Sequence, residues 1–191
     1  MQEVILSNYA LFLKVHFIGF IIGLGAATVS DYLFIRSIKD LKITESEYNT
    51  ITAVTHLVWA GIALFTLSGL TMFYANMEHL LHADSFLAKV TIVAIVVLNG
   101  IFMHKKIIPN LRKISFNKEI SKKEHAIRLK TLIAGAISLT SWYSALFLAI
   151  NKGYGYNYIQ IMSVYFLVLF AGTAFCFLLE KNIYRMGKWK K

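Results

Sequence analysis

The chain has 191 residues, of which 57% are hydrophobic and only 16% charged, and its formal net charge is +10. Soluble domains usually carry about a quarter charged residues, so this composition argues against a soluble globular protein. One proline and 11 glycines exclude a collagen-like or low-complexity chain. The single cysteine, Cys176, excludes an intramolecular disulfide and is expected to pack as a small hydrophobic residue.

Five apolar blocks follow one another along the chain, at roughly residues 9–34, 51–74, 86–108, 129–150 and 158–179. Each block is long enough to cross a bilayer, since a helix needs ~20 predominantly apolar residues to do so. The blocks predict an all-α integral membrane protein, a five-transmembrane-helix bundle that forms a single domain over residues 1–191. The first block lacks a basic leading region and is too long for a cleaved signal peptide, so we expect it to be the first span.

Basic residues are concentrated in the first connection, in the third connection (residues 105–130) and in the C-terminal tail. The second connection has none and the fourth has only Lys152. The positive-inside rule therefore predicts that the N-terminus lies outside and the C-terminus in the cytoplasm. The basic charge then serves topology and attraction to anionic lipids, and nucleic acid is not an expected partner. His125, in the third connection, is expected to be solvated.

Five ionisable residues fall inside the predicted spans, where their cost makes each a functional hypothesis. With this orientation and a rise of ~1.5 Å per residue, they form two levels. The outer level holds His16 and Lys89, and the inner level holds Asp31, His56 and His104.

Helical phase at ~100° per residue groups these residues with small ones. His16, Gly19, Gly23 and Ala27 share one face of helix 1, and the stretch from Lys89 to His104 follows one side of helix 3. The ionisable groups are therefore expected to point into the bundle along one shared line between the helices, called the seam below. The glycine face indicates either close helix packing or room for a flat macrocycle.

Histidines on facing helices are the usual ligands of haem iron in a bundle. His56 and His104 are the predicted bis-histidine pair for an inner haem b, and Asp31 could accept the far ring N–H of one of them. Either histidine could instead be an interfacial residue near the headgroups. His16 predicts an outer haem or substrate site, with Lys89 as a ligand or as a partner for carboxylates. Lys89 could also snorkel to the surface.

The second connection contains His79 and His82, three residues apart and flanked by Glu78 and Asp84. Such a pair could hold a divalent metal outside the membrane. The alternative is a polar cap over the outer site.

Two short stretches resemble a known family. Phe12-Leu-Lys-Val-His16 and Phe86-Leu-Ala-Lys89 resemble segments of the bacterial HemJ family, a membrane-bound protoporphyrinogen oxidase type, and CopD-type copper-resistance domains have a related layout. The similar region covers residues 11–111. The resemblance implies a bacterial cytoplasmic (inner) membrane location, bound haem b, and a functionally critical pair at His16 and Lys89. The chain has Asn99-Gly100 where the family has a further histidine.

These observations predict a protein that binds one or two b-type haems, in electron transfer or in oxidation of a porphyrin or quinol-like substrate. It would be a membrane oxidoreductase if the substrate is turned over. Its partners would be the lipid bilayer, a quinone, quinol or porphyrin, and a redox protein. The sequence leaves open whether the chain forms a homo-oligomer. The alternatives are an ion, proton or metal transporter that uses the His, Asp and Lys seam, and a subunit whose basic loop docks a cytoplasmic partner.

Overall fold

The computed structural model describes residues 2–39, 43–113, 122–151 and 155–189. All regular secondary structure within these ranges is helical. The helices are α1 (Gln2–Ser7), α2 (Tyr9–Lys39), α3 (Glu45–Ala75), α4 (Met77–Leu81), α5 (Asp84–Phe102), α6 (Lys122–Ile150) and α7 (Tyr158–Trp189). Five of the described segments are long and apolar enough to cross a membrane, namely α2, α3, α5 with its continuation, α6 and α7. The prediction of a helical protein with five membrane-crossing segments is confirmed.

The observed helices extend beyond the apolar blocks, because polar residues can complete a helix outside the hydrocarbon. Helix α3 begins six residues before the block predicted from residue 51. Its start is fixed by a capping box, in which the Thr44 hydroxyl accepts from Glu47 N at 3.2 Å and Thr44 N donates to Glu47 Oε2 at 2.8 Å.

Helix α5 is followed directly by two turns of irregular helix. A π-helical turn, Met103–Ile107, continues it and leads into a 3-10 turn, Ile108–Lys113. The chain's one proline, Pro109, lies in the 3-10 turn, where its ring prevents the regular α-helix from continuing. Irregular helical turns of this kind interrupt the i→i−4 hydrogen-bond ladder, so this segment is a potential hinge next to a rigid helix.

The most extensive helix contact is between α2 and α3. A Cβ built on Gly61 would lie 2.4 Å from Gly23 N, and one built on Gly19 would lie 2.6 Å from Phe65 N. The two backbones therefore touch at these glycines. On the other side, the Trp142 ring reaches within 2.5 Å of a Cβ built on Gly23. Of the two interpretations of the glycine face, the structure supports close helix packing.

Helix α6 packs against both α5 and α7, and also reaches α2. Large apolar side chains point outward, with Phe170 75% exposed and Leu167 69% exposed on α7. In a chain with five spanning helices these side chains contact the lipid bilayer. Below, "the basic end" is the end of the bundle that carries His125 and Glu180. "The N-terminal end" is the opposite end, where the Gln2 side chain donates to the Ala75 carbonyl at 3.1 Å.

Candidate functional site: a buried acidic chamber

A cavity of about 60 Å³ lies inside the bundle where α2, α3, α5 and α6 meet. We call this cavity and its walls the acidic chamber. Its polar wall residues are Ser30, Asp31, Thr55, Asn99, Thr131 and Ser138. A cavity of this volume has room for a few water molecules or a small ion. Pockets for organic ligands usually start near 300 Å³.

Asp31 is the acidic residue of the chamber and comes from α2. It is only 8% exposed, and its Oδ2 atom is buried without a hydrogen-bond partner among the described residues. Its other oxygen faces α6, where a Cβ built on Gly135 would lie 3.3 Å from Asp31 Oδ1. Gly135 thus leaves space for the carboxyl group. A carboxyl group buried in this way must be protonated or bind a cation, because an isolated buried charge is very costly.

Asn99 of α5 reaches the same part of α6. Its Nδ2 donates to the Ala134 carbonyl at 2.9 Å, one residue before the glycine that faces Asp31. The side chain is 9% exposed and lines the chamber. Asn99 therefore binds α6 next to the residue that faces Asp31, and its Oδ1 atom is an acceptor that this bond does not use.

The irregular turns after α5 form the side of the chamber toward the basic end. Met103, Ile107, Ile108 and Leu111 all line it. Ile107, Ile108 and Leu111 are at most 7% exposed and belong to one apolar cluster with Phe34 and Ile51. An apolar layer on a backbone that is not regular α-helix thus lies between the acidic chamber and the basic end.

His16 lies near the N-terminal end of the bundle, apart from the acidic chamber. Its Nδ1 donates to the Phe65 carbonyl at 2.8 Å, and the Ser68 hydroxyl lies 3.4 Å from the same nitrogen. Lys89 lies one turn from Ile92 on α5, and Ile92 belongs to the same apolar cluster as Phe20, which is one turn from His16. The structure thus brings the two residues of the predicted outer level into one neighbourhood.

His56 and His104 are both exposed on the outside of the bundle. The His104 ring makes an edge contact with Trp59, with ring centroids 6.4 Å apart. Within the described residues, Asp31 makes no hydrogen bond to either histidine. The buried face of α5 is formed instead by Ala88, Ile92, Val96 and Asn99. The face expected from Lys89 to His104 is shifted by one residue in sequence from the buried face. This shift places His104 on the exposed side of the helix.

His79 and His82 are exposed as well. The Nδ1 atom of His82 donates to the Glu78 carbonyl at 2.8 Å. Across the part of the chain that the structure describes, no group of three or more His, Cys, Asp or Glu side chains is arranged to hold a metal ion. The two histidines therefore have no third protein ligand of these types there.

A buried ion pair at the basic end escaped the sequence analysis. The Arg128 and Glu180 side chains, from α6 and α7, are at most 2% exposed. Arg128 donates through both Nε and Nη2 to Glu180 Oε1, the Nε contact being 3.1 Å. His125 Nδ1 lies 2.7 Å from the same oxygen, and its side chain is 45% exposed. His125, which was expected to be solvated, is thus partly exposed and also contacts Glu180.

One signal could have indicated this pair. Glu180 follows directly after the last apolar block and is the only acidic residue among the basic ones of the tail. An acidic residue at that position needs a partner when the helix end is buried. Which of the many basic residues pairs with it depends on how α6 and α7 pack.

Comparison of the chain with protein-family models, with curated proteins and with solved structures gives no match. The site must therefore be interpreted from its own geometry.

Proposed function

We propose that this protein is a transporter-like membrane protein that carries protons or small cations, with Asp31 as the ion-binding group. The observation that supports this proposal best is the buried Asp31 side chain, which lines a cavity of about 60 Å³ between four helices and whose Oδ2 has no hydrogen-bond partner among the described residues. Carboxyl groups at such positions in membrane proteins typically mark ion paths or proton relays. The chamber's size suits a water or an ion rather than an organic substrate.

The proposal includes an orientation and a location. Basic residues crowd the first and third connections and the tail, which supports an N-terminus outside and a C-terminus in the cytoplasm of a bacterial inner membrane. Asp31 would then lie toward the cytoplasmic side. An ion leaving the chamber in that direction has to pass the apolar layer of Ile107, Ile108 and Leu111. Movement of the irregular turns Met103–Ile107 and Ile108–Lys113 would open and close this layer.

Ion flux through purified protein in liposomes tests the function. A membrane potential is imposed with potassium and valinomycin, and entry of protons or sodium ions is followed with dyes enclosed in the vesicles. We expect flux with the native chain and none with Asp31→Asn, which keeps the shape of the side chain but removes its charge. Asp84→Asn is the matched control, because Asp84 is exposed at the start of α5. Equal flux from native and Asp31→Asn protein would refute the assignment.

A second candidate function, b-type haem binding, is favoured by the geometry of His16. Histidines that bind a metal commonly donate the other ring N–H to a backbone carbonyl. His16 Nδ1 donates in this way to Phe65 O at 2.8 Å, so Nε2 is the nitrogen that could ligate iron. Lys89 nearby could pair with a propionate. Bound haem would supply one-electron redox chemistry, which suits an oxidoreductase acting on a porphyrin or quinol with a redox partner protein, as the HemJ and CopD resemblance implies.

The packing restricts where such a haem could lie. The glycine face of α2 beside His16 is filled by Phe65 on α3 and by Trp142 on α6. A macrocycle would therefore have to lie toward the lipid. His56 and His104 would hold a second haem only on the outside of the bundle, where a second copy of the chain in a homo-oligomer could cover it.

An absorption spectrum separates this candidate from the first. Protein purified from haem-replete cells should show a Soret band that shifts on reduction, and His16→Ala should remove it while His79→Ala, at an exposed site, should not. A colourless preparation of folded protein would contradict haem binding.

A further inference from the structure

We propose that the acidic chamber binds a dehydrated monovalent alkali cation, with Asp31 as its only charged ligand. This inference rests on the proposed function in taking Asp31 as the ion-binding group, and it names the chemical class of the ion. Two features of the chamber support the inference, namely the oxygen atoms in its walls and the balance of charge inside it.

The chamber presents acceptors from four helices. The Thr55 hydroxyl donates its proton to the Ile51 carbonyl at 2.9 Å, and the Thr131 hydroxyl donates to the Ile127 carbonyl at 2.9 Å. Each hydroxyl group thus donates its hydrogen within its own helix, and the lone pairs of its oxygen stay available as acceptors. Asn99 uses its Nδ2 on the Ala134 carbonyl. Oxygen ligands of this kind are what hard cations prefer.

Two of these ligands are held to one short segment of α6. Asn99 bonds to the Ala134 carbonyl, and Asp31 Oδ1 faces Gly135, the next residue. The carboxyl and amide side chains therefore meet adjacent residues of α6 from α2 and α5. The Oδ2 atom of Asp31 is buried and has no partner among the described residues. A cation would provide the missing partner.

Charge balance selects a monovalent ion. Among the described residues that line the chamber, Asp31 is the only ionisable one. One carboxylate and one monovalent cation form a neutral pair, whereas a divalent cation would leave a net positive charge inside the membrane. The volume of about 60 Å³ is small for an ion with its full hydration shell, so oxygen atoms of the wall would have to replace part of that shell.

Sodium binding to the purified chain tests the inference directly. Binding of ²²Na⁺ in detergent is measured at pH 8 and constant ionic strength, with choline replacing sodium. We expect saturable binding, about one ion per chain, that unlabelled Na⁺ or K⁺ displaces. Asp31→Asn should abolish it, and Thr55→Val, which removes one hydroxyl with little change in shape, should weaken it about tenfold, the effect of ~1.4 kcal/mol. Thr50→Val, at an exposed site near the start of α3, is the matched control.

Thermal unfolding of the same variants shows whether each is folded and gives a second readout, because sodium should raise the midpoint of native protein but not of Asp31→Asn. Liposome flux that requires Asp31 while ²²Na⁺ binding is absent would overturn this inference and leave the proposed function intact, with a proton as the ion. Saturable, Asp31-dependent sodium binding without any flux would support the inference and overturn the transport function. Binding that survives Asp31→Asn would also overturn the inference.

Discussion

Removing Arg128 alone should destabilise the protein far more than removing Arg128 and Glu180 together. Both side chains are at most 2% exposed, and Arg128 supplies two donors to Glu180 Oε1. Arg128→Met would leave the buried carboxylate with His125, a half-exposed side chain, on one oxygen. Glu180 Oε2 already has no partner among the described residues. Breaking a buried pair in this way costs about 3–5 kcal/mol.

The double variant Arg128→Met with Glu180→Leu removes both charges and fills a similar volume with apolar atoms. Exchange of a buried ion pair for hydrophobic side chains is often neutral or stabilising, by up to about 4 kcal/mol. We therefore expect the double variant to lie within about 1 kcal/mol of the native protein or above it. The coupling between the two sites would then lie at or above the upper end of the ~0.5–3 kcal/mol that residues of one network usually show.

The free energy of unfolding is measured by titrating the protein in mild detergent with a denaturing detergent. Lys130→Met on the same helix is the control, since Lys130 is exposed and should change stability by no more than about 0.5 kcal/mol. A single Arg128→Met variant that loses less than about 1 kcal/mol would refute the reasoning. A double variant as unstable as the single one would refute it too.

Two further predictions concern the helices that frame the site. Gly61→Ala should cost about 1–3 kcal/mol of unfolding free energy, because the added Cβ would lie 2.4 Å from Gly23 N. Gly25→Ala, with nothing within 4 Å of the new Cβ, should be neutral or stabilising by up to about 1 kcal/mol, and equal effects at the two glycines would contradict the packing. Thr44→Ala should cost about 1 kcal/mol by removing the cap of α3. Thr50→Ala, an exposed site in the first turns of α3, should change stability by less, and an equal loss would show that the cap contributes nothing.

The positions of the ionisable residues along the helices could be predicted, but their surroundings could not. The hydropathy pattern and the ~1.5 Å rise order these residues along the bundle, and His16 and Lys89 each lie one turn from a member of one apolar cluster, Phe20 and Ile92. Whether a side chain points inward depends on a rotation of the helix that sequence phase gives only approximately. On α5 an offset of one residue leaves Asn99 inside and His104 outside.

The sequence by itself determined that the chain is helical with five segments able to cross a membrane, because the bilayer requires long apolar runs whose backbone groups are satisfied within each segment. It also made Asp31, an ionisable residue within an apolar block, a functional hypothesis. Only the tertiary structure decided that Gly23 packs against Gly61, that Arg128 pairs with Glu180, and that Asp31 faces a chamber. These features depend on which surfaces of distant helices meet, and such contacts are set by side-chain packing rather than by composition or periodicity.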